Sequence, residues 1–251
     1  MSDPGFLTEA LQWFTEPGRW EGSTGIPART LQHLVTSSVS VGVAMLIAIP
    51  LGLYIGHARR YEFAVVSVAN FGRAVPSFGL LLLFVVLFGL QLDYPPSLRP
   101  AILFALILLA IPPILTNTYV GVQAVEADTL EAARGMGMSE RQVLLGLEVP
   151  LASPLIVGGI RTAAVQVVAT ATLAAVPAGG GLGRFIVDGY AIRDFPQIFG
   201  GALLVAVLAI LTEASLAGLQ RAVTPRAMSW RRVKELERSG RPIDLATSAR
   251  E

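Results

Sequence analysis

Long apolar segments constrain this chain more than any other feature of its sequence. They cover residues 31–56, 64–91, 99–119, 154–176 and 198–220. A bilayer core of about 30 Å needs roughly 20 apolar residues in a helix, and each segment reaches that length. Because lipid offers no partners to the backbone, such segments cross a membrane as helices. We therefore predict an all-α integral membrane protein with about five transmembrane helices.

Composition agrees with this prediction and excludes several other classes. Only 15% of the residues are charged, the mean hydropathy is +0.61 and the net charge is +1. Soluble domains carry roughly 25% charged residues, and no basic stripe indicates a nucleic acid partner. The chain has no cysteine, so neither a disulfide nor a thiolate metal site is expected. The N-terminus lacks a basic region before an apolar core, so we expect no cleavable signal peptide.

The distribution of Arg and Lys predicts the orientation in the membrane. Segments 57–63, 120–153 and 221–251 hold twelve of them, and the segments on the other side hold five. Because basic loops stay in the cytoplasm, the N-terminus should be outside and the C-terminus inside. The predicted organisation is an extracytoplasmic segment 1–30, a transmembrane domain 31–220 with a cytoplasmic loop 121–153, and a basic cytoplasmic tail 221–251.

Residues 6–20 allow two interpretations. The segment can lie on the outer surface with Trp13, Phe14 and Trp20 in the headgroup region, or it can be a plain mobile tail.

The stretch EAARGMGMSERQVLLGLEVP, residues 131–150, predicts two short helices around a glycine turn. Asp128 and Glu131 suit the start of the first helix, and Gly135 and Gly137 break it. Ser139 followed by Gln142 makes a capping box for the second helix, which Pro150 ends. The apolar face of that second helix comprises Val143, Leu144 and Leu147. The side chains expected to face water are Glu140, Arg141 and Glu148.

The spacing within this loop resembles a known signature. Glu131-Ala132-Ala133, three residues, Gly137, nine residues and then Leu147-Glu148-Val149-Pro150 is similar to the EAA motif of ABC importer permeases. Leu stands for the usual Ile, and Val for the usual Leu. From periodicity alone, the loop could equally pack on its own membrane domain.

The resemblance implies that the loop is a coupling helix seated in a cytoplasmic ATPase. It implies that Glu131, Ala132, Ala133 and Gly137 contact the ATPase, that Gly137 permits a tight turn and close approach, and that Pro150 stops the helix at the membrane. The predicted ATPase-coupling residues are Glu131, Ala132, Ala133, Gly135, Gly137, Leu147 and Pro150.

This chain lacks the GxxxxGK[ST] pattern that binds nucleotide phosphates, and its only lysine is Lys234. The resemblance therefore implies a separate ABC ATPase in two copies, which would carry ATP and Mg, with no cofactor on this chain. It also implies a second permease subunit, identical or paralogous, and an extracytoplasmic solute-binding protein. The expected location is the cytoplasmic membrane of a prokaryote.

The glycine-rich stretch PAGGGLGRFIVDG, residues 177–189, does not fit a phosphate loop, because no Lys-Ser/Thr follows the glycines. A tight re-entrant turn fits better, with Gly179, Gly180, Gly181 and Gly183 allowing close backbone packing. The stretch is similar to GAGGLG of amino-acid and osmoprotectant importer permeases. With GGIRTAAVQVVATATLAA, RGMGMS and RAVPSFGLL, it most resembles the glycine betaine/choline/carnitine branch. Permeases for methionine and similar solutes share much of this pattern.

Polar residues inside apolar segments are candidates for a solute pathway. Thr162, Gln166 and Thr170 follow one helix face at i, i+4 and i+8, and either line a pathway or form interhelical hydrogen bonds. Arg161 and Glu213 are expected at one depth, as a structural ion pair. The other pathway candidates are Asn70, Arg73 and Asn117.

A quaternary ammonium group is held by aromatic cages, and this chain has only 8% aromatic residues, with no cluster in the spans. Affinity would then reside in the binding protein. The alternatives are a permease for methionine or another amino acid, an ion-coupled secondary transporter and a membrane scaffold. A secondary transporter would show inverted repeats and buried acids. No nucleophile–base set indicates an enzyme.

Overall fold

The computed structural model describes residues 5–61, 63, 65, 67, 76–90, 92–177 and 179–224, and this part of the chain is helical without a strand. The helices are α1 (Phe6–Thr15), α2 (Ile26–Ala58), α3 (Ser77–Phe88), α4 (Pro100–Gln123), α5 (Ala127–Gly135), α6 (Glu140–Val143), α7 (Val149–Ala171), α8 (Gly183–Ile192) and α9 (Phe195–Val223). A π-helical turn, Leu144–Glu148, joins α6 to α7. The all-α prediction is confirmed.

Four helices among the described residues are long and apolar enough to cross a membrane: Ile26–Ala58, Pro100–Gln123, Glu140–Ala175 and Phe195–Val223. They cover four of the predicted segments and extend each of them by several residues. The second predicted segment, 64–91, is described mainly as the shorter apolar helix α3. The rest of that segment lies largely outside the described residues, so the count of five spans stays a prediction.

Helix α4 lies at the centre of the bundle and packs on α2, α3 and α7. The core around it is rich in alanine, which lets helix axes approach closely where lipid offers no hydrophobic driving force. The alanines of this core are Ala44, Ala48, Ala105, Ala110, Ala163, Ala164, Ala171 and Ala174. Helix α9 is covered least, because only 6% of its most apolar window is buried. Such a helix needs lipid or another chain around it.

The contact between α2 and α4 depends on two glycines. A Cβ atom built on Gly52 would lie 2.8 Å from the Thr118 Cβ, and one on Gly56 would lie 2.8 Å from the Val122 Cβ. Gly52 and Gly56 are one helical turn apart and form a G-x-x-x-G pattern, which brings membrane helices together. The sequence contains this signal, although we did not predict the contact.

Contacts near the helix ends define the course of the chain. Thr36 of α2 donates a hydrogen bond to the Ser97 carbonyl oxygen just before α4 (2.9 Å), so both helices start at the same end of the bundle. Ser153 near the start of α7 donates to the Val223 carbonyl oxygen at the end of α9 (3.3 Å). Helices α2, α4 and α9 therefore run in one direction, and α7 runs in the other. The loop between α4 and α7 lies at one end, and the glycine-rich turn lies at the opposite end.

The N-terminal segment is a helix docked on the bundle. Trp13 is only 2% exposed, and its ring lies edge-on to Phe185, with centroids 5.4 Å apart. The headgroup interpretation is therefore wrong for Trp13, because that ring fills a gap beside Gly200. Trp20 remains half exposed, and Phe14 packs partly against the same apolar cluster.

Candidate functional site

The first half of the 131–150 stretch forms α5 and a turn. Helix α5 starts at Ala127 with Glu126 at its N-cap, so Asp128 lies in the first turn and is not the cap. Gly135 is the last residue of α5 and has a helical backbone, so it does not break the helix as predicted. Gly137 alone takes a left-handed conformation, with φ of +87°. The turn closes through the hydrogen bond from the Met138 amide to the Ala133 carbonyl oxygen (3.2 Å).

The second half starts with the predicted capping box, which is confirmed. The Ser139 amide donates to the Gln142 Oε1 atom at 2.8 Å, and the reciprocal bond is present. Amide groups at the start of α6 that have no partner within the helix are hydrogen-bonded in this way.

The prediction that Pro150 ends this helix is wrong. The helix continues from Glu140 to Ala175, with Pro150 in the first turn of α7. A proline inside a helix has no amide hydrogen and crowds the preceding turn. The π turn at Leu144–Glu148 accommodates it by changing the hydrogen-bond register directly before Pro150. The second half of the loop, from Glu140 onward, and the span are consequently one continuous helix, Glu140–Ala175, which we call the rod.

Burial separates the predicted coupling residues into two groups. Glu131, Ala132, Gly135, Gly137 and Pro150 are exposed. Ala133 is only 3% exposed, in a cluster with Val125, Leu130 and Val143, and Leu147 packs partly against that cluster. Ala133 therefore packs against its own chain, and its contact with an ATPase stays a prediction. The alanine side chain is covered because the turn at Gly137 folds α6 back onto α5.

Two further apolar side chains lie on the outward surface of this loop and were missed by the sequence analysis. Met136 is 78% exposed beside Gly137, and Leu145 is 52% exposed on the π turn. For Met136 the available signal was an apolar side chain between two glycines on a polar loop, whereas Leu145 lies among other leucines. We refer to Glu131, Ala132, Met136, Gly137 and Leu145 as the loop surface.

Three charged residues of the loop, Arg134, Glu140 and Glu148, are paired. Both guanidinium nitrogens Nε and Nη2 of Arg134 donate to the Glu140 carboxylate, at 2.9 and 3.0 Å. This hydrogen bond raises the pKa of Arg134, which stays charged. Glu148 was expected to face water, but it is only 1% exposed and pairs with His57 at the end of α2. A buried carboxylate needs such a partner, and the partner is distant in sequence.

The glycine-rich turn is held against α2 at the opposite end. The Gly181 amide donates to the Gln32 Oε1 atom (3.1 Å), and the Leu182 amide donates to the His33 Nδ1 atom (3.3 Å). His33 Nε2 in turn lies 2.9 Å from the Val168 carbonyl oxygen near the end of α7. Gly181 has φ of +86° and no room for a Cβ beside His33. The predicted tight turn with close packing is confirmed.

The predicted pathway residues differ in their exposure. Along α7, Thr162 is exposed, Gln166 is half-buried and Thr170 is buried. Thr162 donates to the Gly158 carbonyl oxygen of its own helix (3.0 Å), and Asn117 donates to the Pro113 carbonyl oxygen of its own helix (2.8 Å). Thus neither of these two uses its hydrogen bond to join helices. Asn70 and Arg73 lie outside the described residues.

Arg161 and Glu213 are in contact. The Arg161 Nη2 atom lies 2.6 Å from the Glu213 Oε1 atom, joining α7 to α9. Arg161 Nη1 also donates to the Gln220 Oε1 atom (2.8 Å), and Gln220 Nε2 donates to the Pro154 carbonyl oxygen (2.9 Å). This network fits a structural ion pair, because Arg161 is also held by Gln220, and Gln220 is in turn bound to the backbone of α7.

Replacing both members of this pair by leucine is expected to preserve transport better than replacing either one. A single Arg161→Leu or Glu213→Leu change leaves one charge unpaired among apolar helices, which costs more than removing both charges. We expect each single variant to lose about tenfold in uptake and the double variant to recover most of it. Ser215→Ala, which removes a hydroxyl bonded to its own helix, is the control. Single effects that simply add in the double variant would contradict the structural role.

The apolar spans, the polar helix–turn–helix loop leading directly into a span and the glycine-rich turn together define an all-helical integral membrane protein, and its fold is that of solved type I ABC importer permeases. The chain belongs to the family described as binding-protein-dependent transport system inner membrane component, whose model matches residues 48–229. It is accordingly a transport protein of the inner membrane.

Its curated relatives match along most of their length. The choline transport system permease protein OpuBB of Bacillus subtilis is 35% identical over 208 residues, covering 83% of this chain and 92% of the relative. The glycine betaine/carnitine/choline permease protein OpuCB of the same organism is 36% identical, covering 80% and 89%. The osmoprotectant import permease protein OsmW of Salmonella typhimurium is 35% identical, covering 79% and 92%.

Solved structures share the fold at lower identity. A chain of the inward-facing MetNI methionine ABC transporter superposes with a TM-score of 0.68 at 21% identity, covering 84% of this chain and 99% of that chain. A chain of an amino acid ABC transporter crystallised with histidines has a TM-score of 0.60 at 17% identity, covering 85% and 96%.

Proposed function

We propose that this chain is the permease subunit of an ATP-driven importer that carries a small osmoprotectant such as glycine betaine, choline or carnitine. The observation that supports the substrate class is the 35–36% identity to permeases named for these solutes, over about nine-tenths of their length. Methionine or another amino acid is the alternative solute, since transporters of that class share the fold.

The partners follow from the proposed role. Two copies of an ABC ATPase hold ATP and Mg and hydrolyse the nucleotide, because this chain has no phosphate-binding loop. A second permease subunit, identical or paralogous, completes the pathway, and an extracytoplasmic binding protein delivers the solute. The chain itself carries no cofactor. The N-terminus is outside and the loop surface lies in the cytoplasm, in accordance with the Arg and Lys distribution.

The geometry supports a lever mechanism for the coupling step. The loop surface points away from the bundle, while Ala133, Val143 and Leu147 bind the loop to itself. Because α6, the π turn, α7 and the short 3-10 turn after it form one rod of 36 residues, Glu140–Ala175, a displacement of the loop by the ATPase moves the span with it. Movement of α7 relative to the second subunit then opens the pathway alternately to each side.

The pathway itself is proposed to run between the two subunits. Thr162 and Gln166 are accessible on the surface of a single chain, so a second subunit facing α7 would enclose them. Thr170 is buried and Asn117 is partly buried. These two residues, Asn70 and Arg73 are additional pathway candidates.

Substituting Gly137 by aspartate is expected to remove the ATPase from the complex. At φ of +87° an L-residue is strained by roughly 1–2 kcal/mol, and the new carboxylate would stand in the centre of the loop surface. We expect ATPase recovery with the tagged chain from native membranes to fall about tenfold, measured by mass spectrometry.

Gly22→Asp is the matched control. Gly22 is also exposed, has φ of +73° and has no atom within 4 Å of an added Cβ, but it lies in the N-terminal segment away from the loop, so this variant should retain the ATPase. If no ATPase accompanies the folded parent chain, the importer proposal fails. Uptake of labelled betaine, choline, carnitine and methionine by the purified complex then distinguishes the two solute classes.

A further inference from the structure

His57 lies between two carboxylates that belong to the two ends of the coupling segment. The His57 Nδ1 atom is 2.6 Å from the Glu148 Oε2 atom, and the His57 Nε2 atom is 3.3 Å from the Glu140 Oε2 atom. Glu148 is only 1% exposed, whereas the Glu140 side chain is 60% exposed and also holds Arg134. Thus a single imidazole at the end of α2 contacts both the start of α6 and the π turn.

The protonation state of the imidazole determines which of these contacts is attractive. The imidazolium ion donates from both nitrogens and can bind both carboxylates. A neutral imidazole has one N–H and one lone pair, so it can bind only one carboxylate. The buried Glu148 keeps the N–H, because an unpaired buried carboxylate costs far more than an exposed one. Loss of the proton therefore turns a lone pair toward Glu140.

We propose that His57 is a positioning residue that ties the coupling loop to the first span, through Glu140 at the start of α6 and Glu148 at the π turn. A side chain that donates to both carboxylates holds α2, α6 and the π turn together. A side chain with a single N–H group holds only one of them. The effect of the tie on transport rests on the function proposed above, whereas the tie itself is a property of this chain.

The other charged groups around the imidazole do not replace it. On α5, Arg134 is hydrogen-bonded to Glu140 and acts on Glu148 only through its charge. At the C-cap of α2, the Arg59 guanidinium donates to the Val125 carbonyl oxygen (3.1 Å). Arg60 is exposed beyond it.

The distance between α2 and the loop tests the tie without any partner. The chain has no cysteine, so Arg60→Cys and Met136→Cys can be spin-labelled without background in the full chain in nanodiscs. We expect one narrow distance distribution for the parent chain and a broad one for Glu140→Gln and for His57→Ala, which each remove one end of the tie. His57→Arg, which donates permanently from several N–H groups, should be narrow.

Asp128→Asn is the matched control, because it removes an exposed carboxylate of the same loop that does not face His57. It should follow the parent chain. A distribution that stays narrow in both Glu140→Gln and His57→Ala would overturn the proposal, since the apolar cluster around Val143 would then hold the loop alone.

Uptake by the reconstituted complex is the second readout. We expect uptake per ATP hydrolysed to fall about fivefold to tenfold in His57→Ala and to stay near the parent value in His57→Arg. If the distances respond as expected but neither the parent chain nor any variant transports an osmoprotectant, the proposed function fails and the tie stands. If uptake per ATP in His57→Ala equals that of the parent chain, the coupling role of His57 is overturned.

Discussion

Replacing Gly56 by leucine is expected to prevent stable folding of the membrane bundle. A Cβ at this position would lie 2.8 Å from the Val122 Cβ and 3.2 Å from the Tyr119 carbonyl oxygen. Because one of these neighbours is backbone, α2 and α4 would have to separate. Overpacking of this kind costs about 1–3 kcal/mol even for small additions, and leucine adds a whole side chain. The purified yield and the unfolding temperature in detergent should both fall strongly.

Gly42 offers a control on the same helix. A Cβ there meets no atom within 4 Å, so Gly42→Ala should leave the unfolding temperature unchanged or raise it slightly. Alanine is the better helix former by about 1 kcal/mol. Equal losses at Gly42 and Gly56 would mean that helix flexibility, and not the contact with α4, requires glycine in α2.

Replacing Gly183 by alanine should have an effect of similar size at the opposite end. A Cβ would lie 2.2 Å from the Thr172 carbonyl oxygen and 3.0 Å from the Ala175 Cβ. The Thr172 carbonyl oxygen is a backbone atom and the Ala175 Cβ is attached directly to the backbone, so neither atom can rotate away as the end of a flexible side chain would. We expect a loss of about 3 kcal/mol or more in stability, together with lost uptake.

Gly218→Ala is the corresponding control on α9, where a Cβ has open space. Thermal unfolding and uptake should both stay near the parent values. A well-folded, active Gly183→Ala variant would show that the glycine-rich turn does not need this close packing.

Much of the local structure could be predicted because it depends on neighbouring residues. The four long helices follow from uninterrupted apolar segments, and the capping box at Ser139 follows from two side chains three residues apart. The left-handed turn at Gly137 was predicted for the same reason. At Gly135 the prediction failed because a glycine permits a left-handed backbone but does not require one.

The predictions that failed concern burial and continuity. Glu148 and Trp13 face the protein instead of water or lipid headgroups. Their environments are supplied by residues far along the chain, His57 for Glu148 and Phe185 for Trp13. Pro150 is a helix breaker by local rules, but the π turn before it keeps the rod intact.

The sequence by itself determined that the chain is an all-helical membrane protein with a charged, glycine-containing loop of the EAA type, because length, hydropathy and spacing are local properties. Only the tertiary structure decided which face of that loop is outward, that the loop and α7 are one rod, and that His57 stands between Glu140 and Glu148. These contacts form only when distant segments pack together. The energetic cost of a buried charge or of an added Cβ depends on the atoms that lie beside it.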